Sequence, residues 1–157
     1  EFAQSGGVDA EWLPHLPMAK AGMQCMRAAE QYVASAGIAN LTSWAVAGAS
    51  KRGWTTWMVG AGAAACSWCP RVVALVPLVP IVPSLMVDVH QQYQAYGGFT
   101  FAFRDYLDAG LQQLLDTPAF AAALTIIDPV NYLSRLDAIP KVHAPRLHPA
   151  PLVLTWL

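Results

Sequence analysis

The stretch LTSWAVAGASKRGWTTW, residues 41–57, limits the fold more than any other part of the chain. Thr42, Trp44 and Val46 favour extended backbone, so residues 41–46 read as a strand. Gly48 is expected to end it. From Lys51 to about Ala65 the residues suit a helix, so a strand passes into a helix through a turn of a few residues. A helical pattern precedes this unit and a second apolar run, VVALV at 72–76, follows it. The order helix, strand, tight turn, helix, strand is that of a parallel α/β sheet. The nearly continuous apolar character of both runs predicts strands covered on both faces.

The first helix is expected from Pro17 to about Ala36. Met18, Gly22, Cys25, Met26, Ala29 and Val33 recur at spacings of three and four and form one apolar stripe. Pro17 suits a first helical turn, and Gly37 suits the stop. Residues 1–16, which include His15, read as a loop. After the second strand, residues 77–83 hold Pro77, Pro80 and Pro83 and read as irregular. An aromatic segment follows, with Tyr93, Tyr96, Phe99, Phe101, Phe103 and Tyr106. It either lines a pocket or packs over the sheet edge. Helices are expected at residues 104–115 and 118–127, and a brief helical turn at residues 132–136.

Only 12% of the residues are charged, about half the share of an ordinary globular domain. The charge-free windows 53–70 and 72–87 raise the question of membrane insertion. The first contains glycines, threonines and tryptophans, and the second is broken by prolines, so neither reads as a span. Nine basic against ten acidic residues give a net charge of −1, and nothing resembles a nucleic-acid footprint. No cofactor motif and no metal-ligand spacing is present. Cys66-Ser67-Trp68-Cys69 has C-x-x-C spacing but no second pair and no thioredoxin-like strand before it. It reads as two thiols near a helix end, with a disulfide open if the protein is secreted.

Ser50 carries the chemical question. A serine hydroxyl becomes a nucleophile when a base takes its proton and donors stabilise the oxyanion. A strained turn between strand and helix exposes its oxygen beside a helix N-terminus. That geometry requires small neighbours, and Gly48, Ala49 and Gly53 supply them. The spacing is Gly48-Ala49-Ser50-Lys51-Arg52-Gly53, with the second glycine one place later than in G-x-S-x-G. The competing reading is a serine N-cap on the following helix.

Four blocks in order carry a wider likeness: WLPHLPMAKAGMQCMRAAEQYV, AVAGASKRGWTTWMVGA, YQAYGGFTFAFRDYLDAGLQQLLDTPAF and IIDPVNYLSRLDAIPK. Across about residues 11–141 the chain resembles the PhoPQ-activated pathogenicity-related protein family, which includes bacterial proteins and secreted proteins of social amoebae. The resemblance implies an α/β-hydrolase-like fold with Ser50 as nucleophile and the Lys51 backbone N–H as an oxyanion donor. A similar serine followed by a basic residue occurs in the more distant glucuronoyl esterases. It also implies a small-molecule or peptide substrate, no cofactor and an extracellular setting. In the family a G-D-E-F-F-like stretch follows I-P-K and a histidine comes later. Here residues 142–157, VHAPRLHPAPLVLTWL, do not match. The chain therefore reads as an interior piece, with a partial hydrolase-like domain at 1–141. Its tail at 142–157 is foreign to that fold, as a frameshift or unspliced intron would leave.

No triad base is assigned, since His143 and His148 lie in the unmatched tail. Asp88, after the second strand, is the candidate for the acid. His90 reads as a hydrogen-bonded surface or lid histidine. Asp105, Asp108, Asp116, Asp128 and Asp137 fit helix ends and turns. The expectation is a serine hydrolase part with an incomplete triad. The alternatives are a non-catalytic secreted or signalling protein on the same scaffold, and a defective fragment with no independent fold.

Overall fold

The computed structural model describes residues 13–78 and 84–142. The chain divides into two units. Among the described residues, one comprises 15–78 with 132–142, the other 13–14 with 84–131.

The first unit is mixed α/β. Helix α1 runs His15–Ser35, strand β1 Trp44–Ala49, helix α2 Lys51–Ala64, strand β2 Val72–Leu78 and helix α6 Leu133–Leu136. β1 and β2 are parallel, with Val46 opposite Leu75 and Gly48 opposite Pro77. The far side of β2 is also engaged: the Leu75 N–H donates to Pro140 O at 2.9 Å and the Val142 N–H to Leu75 O at 2.9 Å. Lys141 thus bridges to Leu75 in parallel. Among the described residues β1 pairs with β2 alone.

The core forms where α2 crosses the strands. Ala61, Leu75, Leu136 and Ile139 are buried together, with Val46, Trp57, Val72 and Tyr132 packed around them. Gly60 allows the crossing, because a Cβ there would stand 2.6 Å from Leu75 Cδ1 and 3.1 Å from Leu136 Cδ2. At the start of β1, Trp44 Nε1 donates to Glu30 Oε1 at 2.7 Å, joining the strand to α1.

Several expectations shift. α1 begins at His15, two residues before Pro17, so His15 is helical and not in a loop. Met18, Gly22, Met26, Ala29 and Val33 are at least partly covered, but Cys25 is exposed and outside the stripe. β1 lies three residues later than expected and continues through Gly48, because the glycine is needed inside the strand (below). Its residues alternate between partly covered and exposed, with Ala45, Ala47 and Ala49 on the open side. Coverage on both faces is therefore not met in β1 among the described residues. β2 extends through Pro77 and Leu78, which the proline spacing had assigned to irregular chain; residues 79–83 lie outside the described residues.

The second unit is helical where described. It contains α3 at Leu85–Tyr96, α4 at Arg104–Asp108 and α5 at Pro118–Ile127, with 3₁₀ turns at Phe101–Phe103 and Leu111–Leu114. α3 was not foreseen. Its Leu85 and Val89, four apart, are its buried residues. The single helix expected at 104–115 is divided at Gly110, whose φ of 82° lies in the left-handed region and ends α4's turn. α5 matches its expected bounds. Its Thr117 hydroxyl accepts from the Phe120 N–H, and Pro118 occupies the first turn. No helix among the described residues is long and apolar enough to cross a membrane. Apart from Val142, the expected foreign tail lies outside the described residues.

Leu75 is fully buried between α2, β1 and the Lys141 segment. Leu75→Ala should lower the unfolding free energy by about 2–5 kcal/mol in urea melts. A loss within error of zero would contradict this account of the core.

Candidate functional site

Ser50 joins β1 to α2 in one residue. Its backbone has φ 53° and ψ −123°, and it makes no side-chain capping hydrogen bond. A positive φ is uncommon for any residue with a Cβ and costs of order 1–3 kcal/mol unless its surroundings impose it. Here the surroundings do. The Ser50 N–H donates to Leu78 O at 3.0 Å, so the turn is tied to the end of β2. The Ser50 carbonyl accepts from the Trp54 N–H at 3.1 Å, the first bond of α2. The two bonds fix the entry and exit of the residue and leave the torsion between them little freedom.

Gly48 shows how closely strand and helix approach. A Cβ on it would lie 2.3 Å from the Arg52 carbonyl oxygen, 2.7 Å from its carbon and 2.8 Å from Thr56 Oγ1. Thr56 is buried and donates its hydroxyl to that same Arg52 carbonyl at 2.9 Å. Any side chain at position 48 would therefore push α2 off the strand. Gly53 and Trp54 are buried in the first turn, while Ser50, Lys51 and Arg52 are exposed. The hydroxyl of Ser50 is thus carried at the surface, at the positive end of a helix of 14 residues.

His15 is the functional-looking side chain that sequence reading misplaced. It is 4% exposed, with its ring 3.6 Å from the ring of Trp54, centre to centre. Its Nδ1 is buried without a hydrogen-bond partner. Burial, and then the charge of Lys51, lower its pKa from the ordinary 6.5 to about 4. The imidazole is neutral at pH 7 and braces the first turn of α2 by stacking. The apolar character of Trp54 was visible in the sequence, but a partner 39 positions away was not.

The other candidates lie in the second unit. Asp88 is in the first turn of α3, and its N–H bonds to Ser84 O at 3.1 Å. His90 Nε2 is 3.7 Å from Asp116 Oδ1, both side chains exposed, which suits the surface role expected for it. Asp128 does more than close a turn. It is buried and accepts from the N–H groups of Leu85 at 2.7 Å, Val130 at 3.1 Å and Ser84 at 3.2 Å. It caps α3 from more than 40 residues away, where Ser84 has φ 87° and no side-chain capping bond of its own. Tyr93, Phe99, Phe103 and Tyr106 form a row of rings spaced 5.2, 5.8 and 6.0 Å. His143 and His148 lie outside the described residues. Cys66 and Cys69 are joined in a disulfide, so the reading of two ordinary thiols is replaced by the bonded alternative. Among the described residues no group of histidine, cysteine and carboxylate side chains is arranged to hold a metal.

Two predictions follow from this geometry. Ser50→Gly should raise stability by about 1 kcal/mol or more, since glycine meets no Cβ penalty at this φ, while Ser50→Ala should be close to neutral. A serine acting as an N-cap would instead lose about 1 kcal/mol on replacement by alanine, and that outcome would refute the strained-turn account. The second concerns acid. Between pH 6.5 and about 4, His15 takes up a proton in the unfolded chain but not in the folded one. Stability therefore falls as the pH is lowered through that window. In His15→Phe this part of the loss should vanish in urea melts at pH 7 and pH 5. Equal losses in both proteins would contradict the assignment.

The comparisons with known proteins extend over most of this geometry. The family model described as PhoPQ-activated pathogenicity-related protein matches residues 1–144. The chain is also similar to autocrine proliferation repressor protein A of Dictyostelium discoideum. The two are 37% identical over 124 residues, which are 79% of this chain and 24% of that protein. The chain thus spans about a quarter of the length of that relative. No solved structure matches it. With Gly48, Ser50 and the first turn of α2 all inside the matched segment, the chain belongs to the PhoPQ-activated pathogenicity-related protein family.

Proposed function

We propose that the chain is the nucleophile-bearing part of a serine hydrolase built on an α/β-hydrolase-like sheet. The observation that carries this reading is the backbone of Ser50. It is held at φ 53° and ψ −123° between a parallel strand and a helix, with its hydroxyl not used as a cap. A residue kept in a costly conformation at a surface turn is a common mark of a functional position, and this turn is the one that nucleophilic serines use. The residues 1–141 form the partial domain in this reading, and 142–157 the part foreign to it.

The reaction proposed is acyl transfer from an ester or amide, on a small molecule or peptide. Ser50 Oγ attacks the carbonyl carbon as a base takes its proton. The oxyanion is held by N–H groups at the start of α2, that of Lys51 first, and collapse expels the alcohol or amine to leave an acyl-enzyme. Water then releases the acid. His15 is unsuited to the base role, because it is buried and stacked on Trp54. His90 faces Asp116 in the other unit. The base is therefore assigned to a segment beyond the described residues. Asp88 is carried as the acid on its chain position after β2 alone.

The test uses a fluorophosphonate probe, which phosphonylates activated serines, on this chain and on a longer family protein that contains it. Labelling of the longer protein should be lost in the variant equivalent to Ser50→Ala and kept in the one equivalent to Cys25→Ala. Asp88→Asn should slow it if Asp88 is the acid. Absence of Ser50-dependent labelling in the longer protein would overturn the hydrolase reading. It would favour a non-catalytic signalling protein on this scaffold, in keeping with the name of the repressor relative.

A further inference from the structure

The opposite end of α2 holds a second chemically active group. The helix stops at Ala64, and the chain folds back through the Ala65 N–H to Gly62 O, the Cys66 N–H to Ala63 O and the Cys69 N–H to Cys66 O. This turn brings the Cα atoms of Cys66 and Cys69 to 5.3 Å, with their sulfurs bonded. The ring encloses Ser67 and Trp68, both exposed, while the two cysteines are only partly covered. So short a loop removes little entropy from the unfolded chain, so the bond stabilises the fold weakly by that route.

Two contacts join the loop to α1. Cys69 Sγ lies 3.6 Å from Met23 Sδ, and the Arg27 guanidinium carbon stands 5.6 Å from the centre of the Trp68 ring. Met23 and Arg27 are four residues apart and so lie on one face of α1. The closed ring therefore presents one sulfur and one aromatic ring to a single stripe of the helix. Opening it frees both cysteine side chains to turn and loosens the hold on Trp68.

We propose that Cys66–Cys69 is a thiol–disulfide exchange site for reducing dithiols, and that its closed form clamps the α2–β2 turn onto α1. Met23 lies against Cys69 Sγ, which leaves Cys66 Sγ as the sulfur under attack. A dithiol thiolate bonds to Cys66 Sγ, the Cys66–Cys69 bond breaks, and Cys69 leaves as a thiolate that takes a proton. The reagent's second thiol then attacks its own sulfur in the mixed disulfide, closing a cyclic disulfide and releasing Cys66. Two electrons pass from the reagent to the protein pair. The site lies at the carboxyl end of α2, where the helix dipole does not favour a thiolate. That position argues against a strong oxidant, whose reduced thiolate is stabilised, and is the reason a dithiol is required.

The experiment treats the full chain, without denaturant, with dithiothreitol, followed by iodoacetamide and intact mass measurement. One alkylated cysteine, the exposed Cys25, is expected before reduction, and three after it. Hydrogen exchange should speed up at residues 23–27 and 64–71, with the far-ultraviolet circular dichroism unchanged and reoxidation restoring the slow exchange. Three labels before reduction would show no disulfide, and one label after it would show a bond closed to exchange. Three labels with unchanged exchange at 23–27 would remove the clamp, and global unfolding on reduction would make the bond a structural staple. Any of these four results overturns the proposal. Because all readouts are on the unaltered chain, a misfolded cysteine variant does not affect the test.

Discussion

The first unit depends on the clearance between β1 and α2. A helix that starts one residue after a parallel strand must cross back over that strand almost at contact. Gly48 provides the space, its missing Cβ replaced by the Arg52 carbonyl that a side chain would strike. Once the crossing is that close, Ser50 has to reverse the chain in a single residue, and its positive φ follows. Further along α2, Gly60 repeats the arrangement over Leu75. The helix is thus laid on the sheet by two glycines twelve positions apart. The side chains of Leu75, Leu136 and Ile139 close the space beneath.

Strain at Ser50 persists because both ends of the turn are held. Leu78 holds the Ser50 N–H, Trp54 takes its carbonyl, and His15 stacks on Trp54 from α1. The neutral imidazole suits this place, since a charge there would be buried beside Lys51 without a partner. A chain that keeps both a strained serine and a buried histidine at one turn departs twice from what stability alone would choose. Such departures collect at functional positions. In the hydrolase reading proposed above, the exposed Ser50 hydroxyl is the nucleophile and Asp88 the acid, and the base comes from beyond the described residues.

The turn was legible in the sequence because its constraints are local. Small residues around Ser50 and helix-compatible residues after it announced strand, turn and helix. The bounds of β1 were misread since a glycine looks like a terminator when its neighbour across the turn is unknown. α3 is not legible in the sequence because residues 85–96 read only as the approach to an aromatic segment, while its cap, Asp128, comes from more than 40 residues away. His15 lay between two prolines and looked like a loop residue. Only packing against Trp54 makes it part of the site. The state of Cys66 and Cys69 could not be read from spacing, because the same C-x-x-C serves thiols, disulfides and metals.

The central claim is that Ser50 is a strained turn residue and not a helix cap. Nuclear magnetic resonance on the isotope-labelled chain reads this directly, through the amide–Hα coupling and the intraresidue amide–Hα Overhauser effect at Ser50. The account predicts a positive φ, seen as a strong intraresidue effect, with no first-turn amide N–H donating a hydrogen bond to the hydroxyl oxygen. A negative φ with the hydroxyl bonded to an amide in the first turn of α2 would contradict it.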